Sequence, residues 1–187
     1  MKKIPTMFDR DWNGDRSRVL DVPHKDCGWV FAGEGVATRK IDGTSCLVRG
    51  GRLFKRRELR KGDATPQLFE LADVDEETGK TVGWMPVEPT DPADRYHAEA
   101  FGAVGLADGT YELVGPKVQG NPEKHSRHLL IPHASLALDV QPPRDFAGLR
   151  GWLEGQDIEG VVFHHPDGRM AQSHCSRSHR SKQQRPD

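Results

Sequence analysis

No apolar run in this chain approaches the roughly 18 to 20 residues that a helix needs to span a bilayer, which excludes a membrane-embedded reading and makes a soluble protein the expectation. The N-terminal stretch Met1-Lys2-Lys3-Ile4-Pro5 is basic but has no apolar core behind it, so it does not read as a secretory signal. Cysteine is scarce as well. Cys27, Cys46 and Cys175 have no CxxC spacing, which argues against a disulfide framework and for reduced thiols in a cytoplasmic setting. No internal repeat period is visible, which excludes a solenoid or propeller. Net charge is also missing: 27 Lys and Arg against 28 Asp and Glu leave −1. Any affinity for a polyanion must therefore come from local clustering.

Such a cluster exists. Arg49, Arg52, Lys55, Arg56, Arg57, Arg60 and Lys61 stand against the single acid Glu58. From Asp63 to Glu99 acids dominate instead. The basic block is a candidate phosphate or nucleic-acid surface; the plain alternative is a solvated hairpin with charged outer faces. At 187 residues the chain is long enough for one domain with its own core.

Short β-prone runs at Val36 to Ile41, Ser45 to Val48 and Leu53 to Lys55 read as an antiparallel meander, with Arg49-Gly50-Gly51-Arg52 as a hairpin turn. The segment 62–94 is acidic, contains proline and turn formers, and has only one apolar island, Gly83-Trp84-Met85-Pro86-Val87. It is expected to be a surface insertion, with a lid as one use. Thr110 to Gly115 and Ile158 to Phe163 read as strands. Asp145 is a plausible N-cap for a helix bearing Phe146, Leu149 and Leu153 at helical spacing, ended by Gly155. The expected fold class is α+β with mainly antiparallel pairing.

The chemistry centres on Ala37-Thr38-Arg39-Lys40-Ile41-Asp42-Gly43, where one lysine closes a strand-like run and an Asp-Gly turn follows. A primary amine attacks the α-phosphate of a nucleoside triphosphate only when it is neutral, in line with the leaving pyrophosphate and surrounded by groups that hold the phosphates. Desolvation or a neighbouring cation would lower the ammonium pKa. Arg39 adjoins Lys40, but strand alternation points the two to opposite faces, so a bound metal or Arg56 is the better neighbour. Glu112 and Glu159 each sit among apolar residues in strand-like runs. A carboxylate in that setting either binds something or completes a buried ion pair.

The ordered set Lys40-Ile41-Asp42-Gly43, Leu53-Phe54-Lys55-Arg56, Tyr111-Glu112-Leu113-Val114-Gly115 and Ile158-Glu159-Gly160-Val161-Val162 resembles motifs I, Ia, III and IV of the covalent nucleotidyltransferases, the ATP-dependent ligases and capping enzymes. Gly120-Asn121-Pro122, His128 to Ala134, Trp152 to Gly155 and His164 to Gly168 further resemble a 5′-to-3′ RNA ligase family within them. The resemblance covers about residues 30–171. It implies a nucleotidyltransferase (ligase adenylation) domain over 1–171, with antiparallel sheets flanked by short helices. It implies that Lys40 forms a lysyl-AMP phosphoramidate and that Asp42 supports its loop. It also implies that Thr38, Arg39, Arg56 and Glu112 surround the nucleotide, and that Glu159 helps hold a magnesium or manganese ion. ATP and RNA ends would be the partners, joined in RNA repair.

The pattern departs at the C-terminus. The family continues with motif V, a lysine-centred strand, where this chain has Gln172. From Gln172 to Asp187 there is no aliphatic or aromatic residue, so 172–187 reads as a polar, disordered tail. That departure sustains an alternative function, a degenerate ligase-like module that binds ATP or RNA ends but turns over poorly. His164, His165, His174, Cys175 and His179 form a weaker candidate, a zinc site.

Overall fold

The computed structural model describes residues 4–75, 79–102 and 105–174. In chain order the strands are β1 (Phe8–Arg10), β2 (Val19–Pro23), β3 (Val36–Lys40), β4 (Thr44–Arg49), β5 (Arg52–Leu59), β6 (Glu70–Val74), β7 (Thr81–Pro86), β8 (Gly109–Val114), β9 (Leu129–Pro132), β10 (Gly160–His164) and β11 (Met170–His174). The helices are short: α1 (Gly28–Phe31), α2 (Arg95–Phe101) and α3 (Phe146–Glu154). The fold is mixed α and β with antiparallel sheets, as the sequence pattern implies. No helix of the described residues is long and apolar enough to cross a membrane.

Contacts divide the chain into two units, one of Ile41–Ser135 and one of Ile4–Lys40 with the residues from Leu136 onward. In the second unit, β3, β10 and β11 form an antiparallel sheet in the order β11-β10-β3. Alternation along these strands sends Ala37, Val161, Phe163 and Ala171 to one face, where each is fully buried. Leu149 and Leu153, one helical turn apart on α3, pack into the same core. The α3 boundaries follow from the residues anticipated: the Asp145 carboxylate accepts from the Gly148 backbone N–H at 2.8 Å, and Gly155 closes the last turn on Trp152 O. Phe8 stacks edge-on against both Phe31 and Phe146, which ties the β1–β2 hairpin to this core.

The unit of Ile41–Ser135 is built on a sheet in the order β6-β7-β5-β4-β8-β9. Gly50 and Gly51, with φ of 56° and 70°, make the β4–β5 turn, a conformation that side-chain-bearing residues adopt only under strain. Segment 62–94, expected as a surface insertion, contributes β6 and β7, which extend the sheet beyond β5. Its apolar island explains the difference: Trp84 and Val82 are buried, and a Cβ on Gly83 would come within 2.3 Å of the Phe69 ring. Charged outward residues conceal such strands in the sequence.

The expected tail boundary also shifts. β11 runs through His174, pairing Gln172 with Val162 and His174 with Gly160. A strand needs backbone partners more than aliphatic side chains, and residues 5–7 supply partners on its other edge, with Met7 N–H donating to Gln172 O at 2.8 Å. Residues 175–187 lie outside the described residues.

Candidate active site

Lys40 is the last residue of β3 and stands opposite Gly160 of β10. That register brings Glu159, in the bend just before β10, to the lysine: Lys40 Nζ donates to Glu159 Oε2 at 2.6 Å. The two side chains retain 21% and 19% exposure, so the pair is shielded from bulk water yet open to a ligand. The other carboxylate oxygen, Oε1, lies 3.5 Å from His174 Nδ1. Burial pushes the Glu159 carboxyl up, but the hydrogen bonds and charges of His174 and Lys40 outweigh it and hold the group below its usual range. Gly160 is required by close packing, since a Cβ there would lie 2.1 Å from Ser173 O of the adjoining strand. Thr38, two residues before the lysine and on its face, donates to Val162 O at 3.2 Å and lies 3.1 Å from His164 Nε2. Arg39 falls on the opposite face, as alternation requires, and its backbone N–H donates to Leu136 O.

In the unit of Ile41–Ser135, Glu112 lies in β8 opposite Ser45, and its Oε2 meets His133 Nε2 at 2.8 Å. Gly43 packs beneath it: a Cβ there would fall 2.3 Å from Leu113 O and 2.8 Å from Glu112 Cγ. Asp42 is half-buried immediately before. In β5, Lys55 opposes Cys46, so its neighbour Arg56 falls on the sheet face that carries Ser45 and Glu112. The structure thus brings Lys40, Thr38 and Glu159 together in one unit and gives Arg56 and Glu112 a common sheet face in the other.

The basic block is partly answered by its own unit. One guanidinium nitrogen of Arg49 donates to both Glu70 carboxylate oxygens, Lys55 pairs with the buried Asp94, and Glu58 takes Lys80. Arg52, Arg57, Arg60 and Lys61 remain exposed. Among the described residues no group of three or more His, Cys, Asp and Glu is placed to hold a metal ion. For the zinc candidate, His164 meets Thr38, His165 meets Glu34 and Asp167, and His174 meets Glu159; Cys175 and His179 fall outside the described residues.

Two partners were not anticipated from sequence: His133 beside Glu112, and His174 beside Glu159. No local signal marks either pairing, because 21 residues separate the first pair and strand register alone creates the second.

The chain is similar to RNA ligases. The family model described as RNA ligase 1 matches residues 103–183, a span that includes Glu112 and Glu159 and begins after Lys40. The chain is 31% identical over 134 residues to RNA ligase 1 of Pongo abelii, covering 54% of this chain and 41% of that protein. It is 30% identical over 135 residues to RNA ligase 1 of Danio rerio, with the same coverage, and 28% identical over 151 residues to that of Rattus norvegicus, covering 63% and 44%. The chain therefore spans less than half the length of these relatives. The matches support kinship with an RNA ligase family.

Proposed function

We propose that this chain carries the nucleotidyl-transferring part of an ATP-dependent RNA ligase, on a nucleotidyltransferase fold. It would join RNA 5′-phosphate and 3′-hydroxyl ends in cytoplasmic RNA repair. The observation that carries the reading is the half-buried Lys40–Glu159 pair, 2.6 Å apart and set by the β3–β10 register, in a chain similar to RNA ligase 1.

Three displacements make up the reaction. Lys40 Nζ attacks the α-phosphorus of ATP, the bond to pyrophosphate breaks, and a phosphoramidate to AMP forms. An RNA 5′-phosphate oxygen then attacks the same phosphorus and releases the lysine. The adjacent 3′-hydroxyl finally attacks the 5′-phosphate and expels AMP. Before the first attack the ammonium must lose a proton; the Glu159 carboxylate orients Nζ but, held below its usual range, is a weak base, so the proton passes on to water. Thr38 and Asp42 flank the lysine along the chain and restrict where it can turn. Arg56 and Glu112 are assigned to the nucleotide, with His133 holding Glu112 in place.

Glu159 is also a suitable ligand for magnesium or manganese. A carboxylate has about four lone-pair positions, and those not used by Lys40 and His174 remain for a hard cation that takes its other ligands from water and phosphate. Such an ion would neutralise charge on the triphosphate and the departing pyrophosphate. Adenylyl transfer asks little more of a protein than positioning and charge neutralisation.

A second reading is favoured by Gln172, which occupies the place of the first motif V lysine and spends its side-chain amide on Ile4 O. On that reading the chain binds ATP or RNA ends and turns over poorly. Incubation with ATP labelled on the α-phosphate, beside Lys40→Ala, separates the two. Acid-labile label on the wild type alone supports the ligase; no label on either supports the binding module.

A further inference from the structure

The unit that holds Lys40 contains a cavity of about 440 Å³ between the β1–β2 hairpin, α3 and the edge strand β11. Neither Lys40 nor Glu159 lines it, yet its wall includes His174, whose Nδ1 lies 3.5 Å from Glu159 Oε1. The cavity is therefore one side chain away from the carboxylate that holds the lysine. Its floor is apolar, with Phe8, Phe146 and Leu149. Its rim carries Arg10, Arg18 and Arg150, with the hydroxyls of Thr6 and Ser17 between them. Asp21 and Glu154 are the acids on that rim, and Glu154 is engaged by Arg150 at 3.1 Å.

An apolar floor under a cationic rim is the complement of a nucleotide: a base has a face that packs on aromatic and aliphatic side chains, and a phosphate takes charge-assisted bonds from guanidinium groups. The volume falls within the range of small-ligand sites. We infer that this cavity receives the 5′-phosphorylated terminal nucleotide of an RNA strand, with Arg10 and Arg18 on the phosphate. The inference rests on the ligase reading for its choice of RNA. Because Lys40 does not line the cavity, the strand end docks here before its 5′-phosphate moves to the adenylated lysine.

The test measures binding of the full chain, without ATP, to one oligoribonucleotide bearing a 5′-phosphate and to the same strand with a 5′-hydroxyl, at one fixed salt concentration. The 5′-phosphate is expected to improve binding about tenfold, a preference that Arg10→Ala/Arg18→Ala abolishes and Lys117→Ala, an exposed charge outside the cavity, retains. Arg18→Ala alone, at an exposed position, provides the same reading with no demand on the fold. Equal binding of the two strands, or a preference that survives the arginine substitutions, would overturn the inference. Failure of the wild type to take label from ATP would instead remove the ligase reading, and this binding assay does not depend on it.

Discussion

Lys40 and Glu159 are 119 residues apart in sequence and 2.6 Å apart in space, because Lys40 ends β3 directly opposite the residue that follows Glu159. Neither position can be moved by one residue without losing the pair, since a one-residue slip turns every strand side chain to the other face. Two substitutions separate the roles. Lys40→Arg keeps a cation in place, but a guanidinium does not deprotonate in a protein, so labelling from ATP is expected to fall to background. Glu159→Gln keeps the shape and a hydrogen-bond acceptor while removing the charge; labelling should fall by about 100- to 1,000-fold, the scale for loss of one preorganised electrostatic contact. Full labelling of either variant would dismiss the pair as the reacting centre.

The same pair makes a prediction about stability. Although burial pushes the Glu159 carboxyl up, His174 and Lys40 hold it below its ordinary value of 4.5 in the folded chain. A depressed folded value means that the unfolded chain takes up the proton first as pH falls. The stabilisation is thus present above about pH 4.5 and lost as pH drops through the folded value. Urea unfolding of wild type and Glu159→Gln should differ by roughly 1 to 3 kcal/mol at pH 5 to 6. The difference should shrink towards about pH 3; a constant gap over that range would mean that the pair adds nothing to folding.

Local features of this chain were legible because local residues determine them. Asp145 and Gly155 bracket α3, and Gly50-Gly51 turns β4 into β5, each by chemistry confined to a few neighbouring residues. The strand carrying Lys40 was legible for the same reason. What the sequence hid was set by partners far along the chain. Strands β6 and β7 look like acidic linker until Trp84 and Val82 are seen packed beside β5, and their acids until Glu70 is seen on Arg49. Gln172 to His174 look like tail because a strand at a sheet edge can be held by backbone hydrogen bonds with few apolar side chains. In the candidate site, Lys40, Glu112 and Glu159 stand out from their local sequence, whereas the contacts of His133 and His174 with the two glutamates do not, because chain segments far apart create them.

Asp94 offers a test within the unit of Ile41–Ser135. Its side chain is almost wholly buried, accepts from Lys55 Nζ, and also accepts the Glu88 backbone N–H at 3.0 Å. Removing one partner of a buried pair leaves the other charge uncompensated. Asp94→Ala is therefore expected to cost about 3 to 5 kcal/mol in chemical denaturation, and Asp94→Asn less, because the amide still accepts from Glu88. The double substitution Asp94→Leu with Lys55→Met should recover much of the loss, since it leaves neither charge stranded. A loss below about 1 kcal/mol for Asp94→Ala would show that water enters to replace the carboxylate.

Gly43 connects the lysine motif to the Glu112 site, and its substitution tests that connection. Its predicted place in an Asp-Gly turn accounts for a small residue but not for the severity of the packing, which comes from β8. An added methyl would fall 2.3 Å from Leu113 O, a backbone atom that can move only with the strand, and 2.8 Å from Glu112 Cγ. Relief requires either that β4 and β8 separate at Thr44–Leu113 or that Glu112 swings off His133. Gly43→Ala should cost about 1 to 3 kcal/mol of stability, as overpacking does, and should weaken ATP binding through Glu112. Gly43→Ser should behave alike, because the clash is with the Cβ itself. The decisive comparison is ATP affinity in Gly43→Ala and in Gly43→Ala/Glu112→Ala. If the glycine acts by keeping Glu112 in place, the added Glu112 substitution costs little further affinity; if the two losses add fully, Gly43 serves the strand pairing alone.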